Sequence, residues 1–203
     1  MTRKPKIPLW DQRLAGYLVR PLIGTRVTPN HVTTTSLLLS LIGAGLFATA
    51  GSVAANWGAG LFMFGRFLDH LDGELARQSG QTSRFGYVYD YIAGCVSYSA
   101  LFLALGIGLR GGLISGWSVW LGIAAAPIIL TTTLLALRLA DEEGGDDYPI
   151  YAGFELEDGI YLIGPIIWLG WIEPFFLAGA AGVLLFGVWT VLRALRPGAR
   201  RGR

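Results

Sequence analysis

Long apolar segments, separated by short polar connections, constrain the fold of this 203-residue chain more than any other feature. Lipid offers no hydrogen-bond partners, so a segment that crosses a membrane must satisfy its backbone groups within a helix. One crossing takes about 20 mostly apolar residues. The sequence predicts six spans: Val32–Ala50, Val53–Asp69, Tyr87–Leu109, Trp117–Leu137, Gly159–Trp171 and Pro174–Leu195. The expected fold is an all-α membrane protein with six transmembrane helices.

The composition agrees with a membrane protein, since 53% of the residues are hydrophobic, only 15% are charged and the mean hydropathy is +0.51. A soluble domain has roughly a quarter charged residues. The single cysteine excludes a disulfide within the chain. The first residues are too polar for a cleavable signal peptide. We expect neither a second, soluble domain nor an internal repeat.

The chain is expected to form one membrane domain over residues 1–203. It comprises an interfacial and juxtamembrane segment over 1–31, a six-span bundle over 32–195 and a basic tail over 196–203. Within the first part, LWDQRLAGYLVRPLIG mixes apolar and aromatic residues with arginines, which is typical of an amphipathic helix at a membrane surface. A disordered tail is the alternative, but it would not need the interfacial anchors Trp10 and Tyr17.

Basic residues near both ends of the predicted bundle indicate its orientation. They are Arg3, Lys4, Lys6, Arg13, Arg20 and Arg26 before it, and Arg193, Arg196, Arg200, Arg201 and Arg203 at and after its end. An even number of spans places both termini on one side, and the positive-inside rule makes that side the cytoplasm. We therefore expect a multi-pass integral protein of the inner (cytoplasmic) membrane with both termini cytoplasmic.

Three aspartates interrupt the apolar pattern in FLDHLDGELARQSGQTSRFGYVYDYIAG, at the cytoplasmic ends of the second and third spans. Asp69 and Asp72 lie three residues apart, on one face of a helix. Carboxylates at membrane depth cost several kcal/mol unless they are paired, solvated or metal-bound. Together with Asp90 they form a set of hard oxygen ligands that suits Mg²⁺ or Mn²⁺ bridging a diphosphate. The alternative is simple pairing with nearby arginines.

The spacing of these residues resembles the signature of the CDP-alcohol phosphotransferases. The matching positions are Asp69, Asp72, Gly73, Ala76, Arg77, Gly86 and Asp90, and TPNHVTTTSLLLSLIGA resembles the opening of the family's first span. Six spans with cytoplasmic termini agree with the resemblance. The likeness covers the first half of the chain well and the second half only in the number of spans.

The resemblance implies a reaction of phospholipid synthesis. An acceptor alcohol attacks the β-phosphate of a CDP-alcohol donor, such as CDP-diacylglycerol, and CMP leaves. By analogy, Asp69, Asp72 and Asp90 would hold one or two divalent cations, Mg²⁺ or Mn²⁺, on the diphosphate. The residues expected at the substrate are Gly73, Ala76 and Gly86, which leave room for the nucleotide, Arg77, which contacts phosphate or orients a carboxylate, and Asn30 and Thr33, which open the first span.

The chain departs from the family signature at Gly94, where a fourth aspartate is expected one turn after Asp90. That aspartate is assigned to proton removal from the acceptor, so the catalytic residue here is unknown. An active enzyme could use another base, or none beyond a metal-polarised hydroxyl, since a general base contributes typically 10²–10⁴-fold. A catalytically silent relative that still binds nucleotide and metal is the second reading.

Candidate substitutes for the missing base lie in the acidic segment DEEGGDDYPIYAGFELED. Glu157 and Asp158 adjoin the fifth span and could face the site. The alternative is a solvated acidic loop, which most charge runs are.

Three functions are compatible with the sequence at this stage. The first is a membrane transferase, the second is a silent relative that regulates a partner, and the third is a small transporter. The transporter lacks support because the carboxylates lie at a helix end and no inverted repeat is present. The expected partners are the CDP-alcohol donor, the acceptor alcohol and membrane lipid, with no nucleic acid. Small residues in the spans also suggest a homodimer face.

Overall fold

The computed structural model describes residues 10–143 and 156–194, which form helices joined by short turns. The helices are α1 (Trp10–Leu18), α2 (Pro29–Phe47), α3 (Ser52–Ser79), α4 (Arg84–Gly108), α5 (Trp117–Glu143), α6 (Ile163–Trp168) and α7 (Ile172–Ala194). Short 3-10 helices cover Arg20–Leu22 and Leu156–Leu162. Neither described range contains a β-strand. The predicted all-α class is confirmed.

Three of the described helices are long and apolar enough to cross a membrane, over Arg84–Gly108, Trp117–Leu135 and Ile172–Leu192. They correspond to the predicted third, fourth and sixth spans. The predicted first and second spans are α2 and α3, whose 19 and 28 residues suffice by length. The polar residues of α2 and α3 exclude these two helices from the apolar candidate spans.

The predicted fifth span is not one regular helix. The 3-10 helix Leu156–Leu162 runs into the six-residue α6, and the apolar part of this stretch covers only Gly159–Trp168. Pro165 lies in the first turn of α6, where its missing N–H would have no partner within the helix in any case. The described structure therefore contains three apolar candidate spans where the sequence predicts six.

Local sequence signals set the helix ends that bring the aspartates together. Thr28 caps α2, its side chain accepting a hydrogen bond from the N–H of His31, and Pro29 follows at the first helical position. Gly80 ends α3 in the left-handed conformation, with φ of 70°. Ser83 caps α4 by accepting a hydrogen bond from the Gly86 N–H at 3.0 Å. The acidic end of α3 and the start of α4 are thus joined by a short turn.

A close approach of α2 and α3 forms the centre of this half of the bundle. A Cβ on Gly43 would lie 2.8 Å from the Gly58 carbonyl oxygen, and one on Gly58 would lie 2.7 Å from that of Gly43. Only glycine permits such backbone proximity, as at many membrane helix interfaces. The neighbouring core contains the fully buried Phe62 and Leu105.

α1 packs against the carboxyl-terminal part of α3. Ala15 and Val19 are fully buried against a cluster that includes Leu71 and Leu75. The side-chain amide of Gln78 donates to the Gly16 carbonyl at 3.1 Å. The opposite face of α1 is exposed and apolar, with Leu14, Tyr17 and Leu18 on it, the arrangement of a helix that lies along a membrane surface.

Candidate metal centre

The three aspartates of the predicted cluster converge between α3 and α4. Asp69 and Asp72 lie one turn apart on α3, and Asp90 lies in the second turn of α4. One carboxylate oxygen from each lies within 4.8 Å of the other two. The sequence placed these residues on adjoining helices, and the structure brings their ligand atoms together.

Side chains from α2 and α3 hold two of the carboxylates. The Thr33 hydroxyl donates to Asp72 Oδ2 at 2.5 Å. The Ser36 hydroxyl lies 3.4 Å from Asp69 Oδ1 and also donates to the Gly65 carbonyl at 2.8 Å. Arg66 Nη2 donates to Asp69 Oδ2 at 2.7 Å. The cluster is therefore organised by hydrogen bonds that cross between helices and by one buried ion pair.

Burial raises the pKa of the Asp72 carboxyl to about 7, and the negative charge of Asp69 acts in the same direction. The hydrogen bond from Thr33 opposes this shift. Asp72 lies three residues beyond the predicted second span and is only 3% exposed. A buried carboxyl beside another carboxylate favours its neutral form, and a bound cation reverses that preference.

A pocket of about 320 Å³ opens onto the carboxylates Asp72 and Asp90. Its wall includes every residue predicted to bind substrate, namely Asn30, Thr33, Gly73, Ala76, Arg77 and Gly86. The remaining lining residues are Pro29, Gln81, Thr82, Ser83, Tyr87 and Tyr91. Ligand pockets begin at about 300 Å³, so the volume is that of a small-molecule site.

The carboxylate set fits a hard divalent cation. The 4.8 Å limit on the oxygen separations is slightly wider than the roughly 4.2 Å between opposite oxygens around an octahedral Mg²⁺. All the candidate ligands are carboxylate oxygens, the donors that Mg²⁺ and Mn²⁺ prefer. The opening onto the pocket leaves one side of the cluster accessible to a ligand.

Residues 26–191 of the sequence match the family model of the CDP-alcohol phosphatidyltransferases. The chain belongs to this family. The family consists of membrane-embedded transferases of phospholipid synthesis, and the apolar helices and acidic cluster agree with that class.

Individual relatives of this chain are named for different alcohols. The chain is 24% identical to an archaetidylinositol phosphate synthase of Pyrococcus horikoshii, over 86% of this chain and 94% of the relative. It is 37% identical to cholinephosphotransferase 1 of Gallus gallus, over 53% of this chain but only 34% of that longer protein. The family membership is therefore plain, whereas the acceptor is not established.

A phosphatidylinositol phosphate synthase of Mycobacterium tuberculosis has the same fold. Its crystal structure with CDP-DAG bound superposes with a TM-score of 0.65 at 24% identity, covering 94% of this chain and 98% of that one. A second structure of that enzyme, in complex with manganese and citrate, gives a TM-score of 0.60.

Arg77 of the transferase signature stands at the rim of the pocket. Its side chain is 56% exposed and pairs with Glu74, with Nη2 and Nε at 2.8 and 3.0 Å from Glu74 Oε2. Gln78 donates to the other oxygen of Glu74 and to α1. The guanidinium, predicted to contact phosphate, thus lies in the pocket wall with a carboxylate partner of its own.

Gly94 lies one turn deeper than Asp90, where the family signature has its fourth aspartate. A Cβ at Gly94 would lie 3.9 Å from Arg66 Nη1. Arg66 itself is 5% exposed, and its guanidinium carbon lies 5.0 Å from the centroid of the Tyr98 ring. The position of the missing carboxylate therefore borders a buried guanidinium.

The candidate bases Glu157 and Asp158 have side chains outside the described residues, as does most of the acidic segment before them. The backbone around them belongs to the 3-10 helix Leu156–Leu162. Tyr161 of that helix lies with its ring centroid 6.1 Å from that of His70 on α3. This segment therefore reaches α3 next to Asp69.

Sequence reasoning assigned no role in this site to Ser36, Arg66, Tyr87 or Tyr91, although pairing of the aspartates with nearby arginines was one of its alternatives. Ser36 follows Thr33 by one turn on the same face of α2, a spacing that signals a shared partner. Arg66 precedes Asp69 by three residues, which is the spacing of an ion pair on one helix. Tyr87 and Tyr91 form an aromatic wall, with ring centroids 4.9 Å apart. The i, i+4 spacing of these tyrosines was visible in the sequence.

Proposed function

We propose that this transferase moves a phospho-alcohol group, phosphatidyl or a headgroup phosphate, from a CDP-alcohol to an acceptor alcohol. The acceptor oxygen forms a bond to the β-phosphorus, the bond from that phosphorus to the bridging oxygen breaks, and CMP leaves. The acceptor hydroxyl loses its proton. The observation that carries the proposal is the convergence of three carboxylates, two of which line a pocket together with other signature residues.

The residues of this chain would bind and orient the diphosphate. We assign Asp69, Asp72 and Asp90 to the binding of Mg²⁺ or Mn²⁺, and a bound ion would supply positive charge against the charge that develops on the leaving CMP. Thr33 keeps the Asp72 carboxylate turned toward the pocket through its hydrogen bond. Arg77, at the rim, would leave Glu74 for the more highly charged diphosphate.

The nucleotide would occupy the pocket between α2, α3 and α4. The small side chains of Gly73, Ala76 and Gly86 leave room in the pocket. Asn30 lies beside Gly86, since a Cβ on Gly86 would be 3.2 Å from Asn30 Oδ1. The volume suits a cytidine nucleotide, whose alcohol portion would extend toward the membrane. The relative with CDP-DAG bound supports a lipid-linked donor, and its manganese complex supports Mn²⁺ as one of the metals.

We assign the acceptor's proton to Glu157 or Asp158, because the Leu156–Leu162 helix packs beside His70 and Gly94 cannot accept it. The test compares CMP release by Glu157→Gln and Asp158→Asn with that of the parent protein. Loss of a general base should lower turnover about 10²-fold or more in one variant. Unchanged turnover in both variants would remove these candidates.

We further propose the six-span arrangement with both termini on the cytoplasmic side of the inner membrane, as one domain over residues 1–203. The basic ends support this orientation, and α2 and α3 are long enough to cross. To test it, Cys95 is replaced by alanine, and single cysteines are introduced as Arg26→Cys or Gly111→Cys. A membrane-impermeant maleimide should label only Gly111→Cys from outside the cell, and the reverse pattern would overturn the orientation.

Gly94 favours a second candidate function, that of a silent relative which binds nucleotide and metal without turnover. Purified protein is incubated with CDP-diacylglycerol, Mn²⁺ and a panel of alcohols, and CMP release is followed. Release that is abolished in Asp90→Asn supports the transferase. Binding of the CDP-alcohol without release of CMP supports the silent relative. The homodimer stays a prediction, which light scattering of the purified protein tests directly.

A further inference from the structure

One positive charge is built into the inner side of the acidic cluster. Arg66 is 5% exposed, it binds Asp69 Oδ2 through Nη2 at 2.7 Å, and its other terminal nitrogen lies 3.9 Å from the Cβ position of Gly94. Arg66 is absent from the pocket wall, whereas Asp72 and Asp90 belong to it. The guanidinium therefore contacts the cluster through Asp69, the one aspartate of the three that the pocket wall also lacks.

The Tyr98 ring and the Asp69 carboxylate restrain the position of this guanidinium. The Tyr98 ring lies 5.0 Å from the guanidinium carbon, within range of a cation–π interaction. The carboxylate of Asp69 receives its Nη2 hydrogen. A buried charge held by an ion pair and an aromatic face is fixed more firmly than an exposed one, such as the rim residue Arg77.

The described ligands of the cluster suffice for one divalent cation. Asp69, Asp72 and Asp90 each offer one oxygen, and these oxygens lie within 4.8 Å of one another, which is the spread of ligands around a single ion. A second divalent ion would need a further ligand beside the first, since paired metal sites lie about 3.5–4 Å apart and share carboxylates. Position 94 offers no ligand, and one oxygen of Asp69 is already occupied by Arg66.

We propose that Arg66 is an internal cation of the metal centre, which takes the place of a second divalent ion and limits the cluster to one. Arg66 is then a positioning residue for Asp69 and for the single bound ion. The inference rests on the proposed function in that it assumes a metal at the three aspartates. It goes beyond that function in setting the number of ions and in assigning a role to Arg66.

The proposal predicts how a carboxylate introduced at position 94 would affect the number of bound ions. An aspartate side chain introduced at position 94 would extend toward Arg66 Nη1 and pair with it, because its oxygens reach about 2.4 Å beyond the Cβ. Gly94→Asp alone should therefore leave the ion count at one. Only the double variant Arg66→Met/Gly94→Asp presents four carboxylates without an internal cation, and it should bind two ions.

The experiment counts Mn²⁺ on the full chain in lipid nanodiscs, without any nucleotide, by the loss of the free Mn²⁺ signal in electron paramagnetic resonance. We expect one ion for the parent protein, for Gly94→Asp and for the charge-preserving Arg66→Lys. We expect two ions for Arg66→Met/Gly94→Asp, with the broadened spectrum of two close Mn²⁺ ions. Arg110→Met and Gly111→Asp make the same chemical changes at exposed positions of the opposite end and should leave the count at one.

The outcomes separate this inference from the proposed function. Two ions on the parent protein, or on Gly94→Asp alone, would overturn the role of Arg66 while leaving a metal-dependent transferase intact. A single ion on a folded double variant would also overturn it. Should the double variant fail to fold, the counts for the parent protein and Gly94→Asp still decide. No bound Mn²⁺ on the parent protein would overturn the metal centre and, with it, the proposed function.

Discussion

Buried threonine hydroxyls form different hydrogen bonds in α2 than in α5 and α7. In α2, Thr33 donates across to Asp72 on α3 at 2.5 Å, in addition to a longer bond to the Pro29 carbonyl of its own helix. In α5 and α7, the buried Thr132 and Thr190 donate back to carbonyls of their own helices. A threonine in a membrane helix thus indicates a site when it donates to a carboxylate of a neighbouring helix, and only local backbone satisfaction when all its hydrogen bonds stay within its own helix.

The same contrast appears in burial. Of the apolar candidate spans, the one in α4 is 44% buried, against 28% and 22% for those in α5 and α7. α4 contacts both α2 and α5 and contributes Asp90, whereas α7 exposes large apolar side chains such as Leu185 and Val188. The first half of the chain builds the candidate metal centre, and the described helices α5 and α7 of the second half expose more of their apolar surface.

Removing a carboxylate from the cluster should have the largest effect. Asp90→Asn and Asp72→Asn each remove a metal ligand, and a bound metal contributes several kcal/mol to catalysis, so CMP release should fall about 10³-fold. Glu173→Gln is the control, because it removes a carboxylate that caps the Leu113 N–H at the other end of the bundle. If the turnover of Asp90→Asn stays within tenfold of the parent protein, the difference expected between the first and second halves of the chain is contradicted.

The threonine comparison is tested directly by Thr33→Val and Thr190→Val, which delete the same hydroxyl from α2 and from α7. A hydrogen bond to a charged group contributes about 1.5–3 kcal/mol, so Thr33→Val should weaken Mn²⁺ binding about tenfold or more. Thr190→Val should leave Mn²⁺ affinity unchanged, since its hydroxyl bonds to Phe186 of its own helix. Equal effects of the two changes would contradict the distinction.

The close approach of α2 and α3 should tolerate an added methyl group less well than the surface of α7 does. A methyl group at Gly43 would meet the Gly58 carbonyl and the Phe62 nitrogen at 2.8 Å, so Gly43→Ala should destabilise the fold by about 1–3 kcal/mol. Gly182→Ala meets nothing within 4 Å and should be neutral or slightly stabilising. Thermal unfolding in nanodiscs provides the measurement. A lower midpoint for Gly182→Ala than for Gly43→Ala would reverse the expected order.

The smallest effect is expected at the pocket rim. Arg77→Gln breaks an exposed ion pair, so the free energy of unfolding should change by less than about 1 kcal/mol. The KM for the CDP-alcohol should rise about fivefold, because roughly 1 kcal/mol of diphosphate binding is lost. Arg110→Gln, also exposed, is the matched control. An unchanged KM would show that Arg77 serves only to hold Glu74.

Spacing in the sequence was enough to identify the cluster. Asp69 and Asp72 share a helical face at any helix geometry, and the capped start of α4 brings Asp90 beside them. Arg66 could not be assigned in the same way, because an arginine three residues before an aspartate can equally extend to solvent. Only the burial of its guanidinium near Gly94 distinguishes the two cases.

The number of apolar spans was harder to predict. A hydropathy average counts every polar residue of a helix as exposed to lipid, whereas the buried polar side chains of α2 and α3, such as Thr33 and Asp72, contact one another. The stretch after Leu156 looked like one span because it is apolar, but it forms a 3-10 helix followed by a short α-helix. Apolar composition predicts that a segment is buried or lipid-facing, and it does not predict a continuous helix.

The docking of α1 has a practical consequence for anyone who prepares this protein. Ala15 and Val19 cover Leu71 and Leu75, the residues immediately around Asp72 on α3. A shortened version that begins after residue 22 would uncover these leucines beside the ligand-bearing turn. Truncation of the amino-terminal helix would therefore change the surroundings of the candidate metal centre, and affinity tags are better placed where they leave this helix packed against α3.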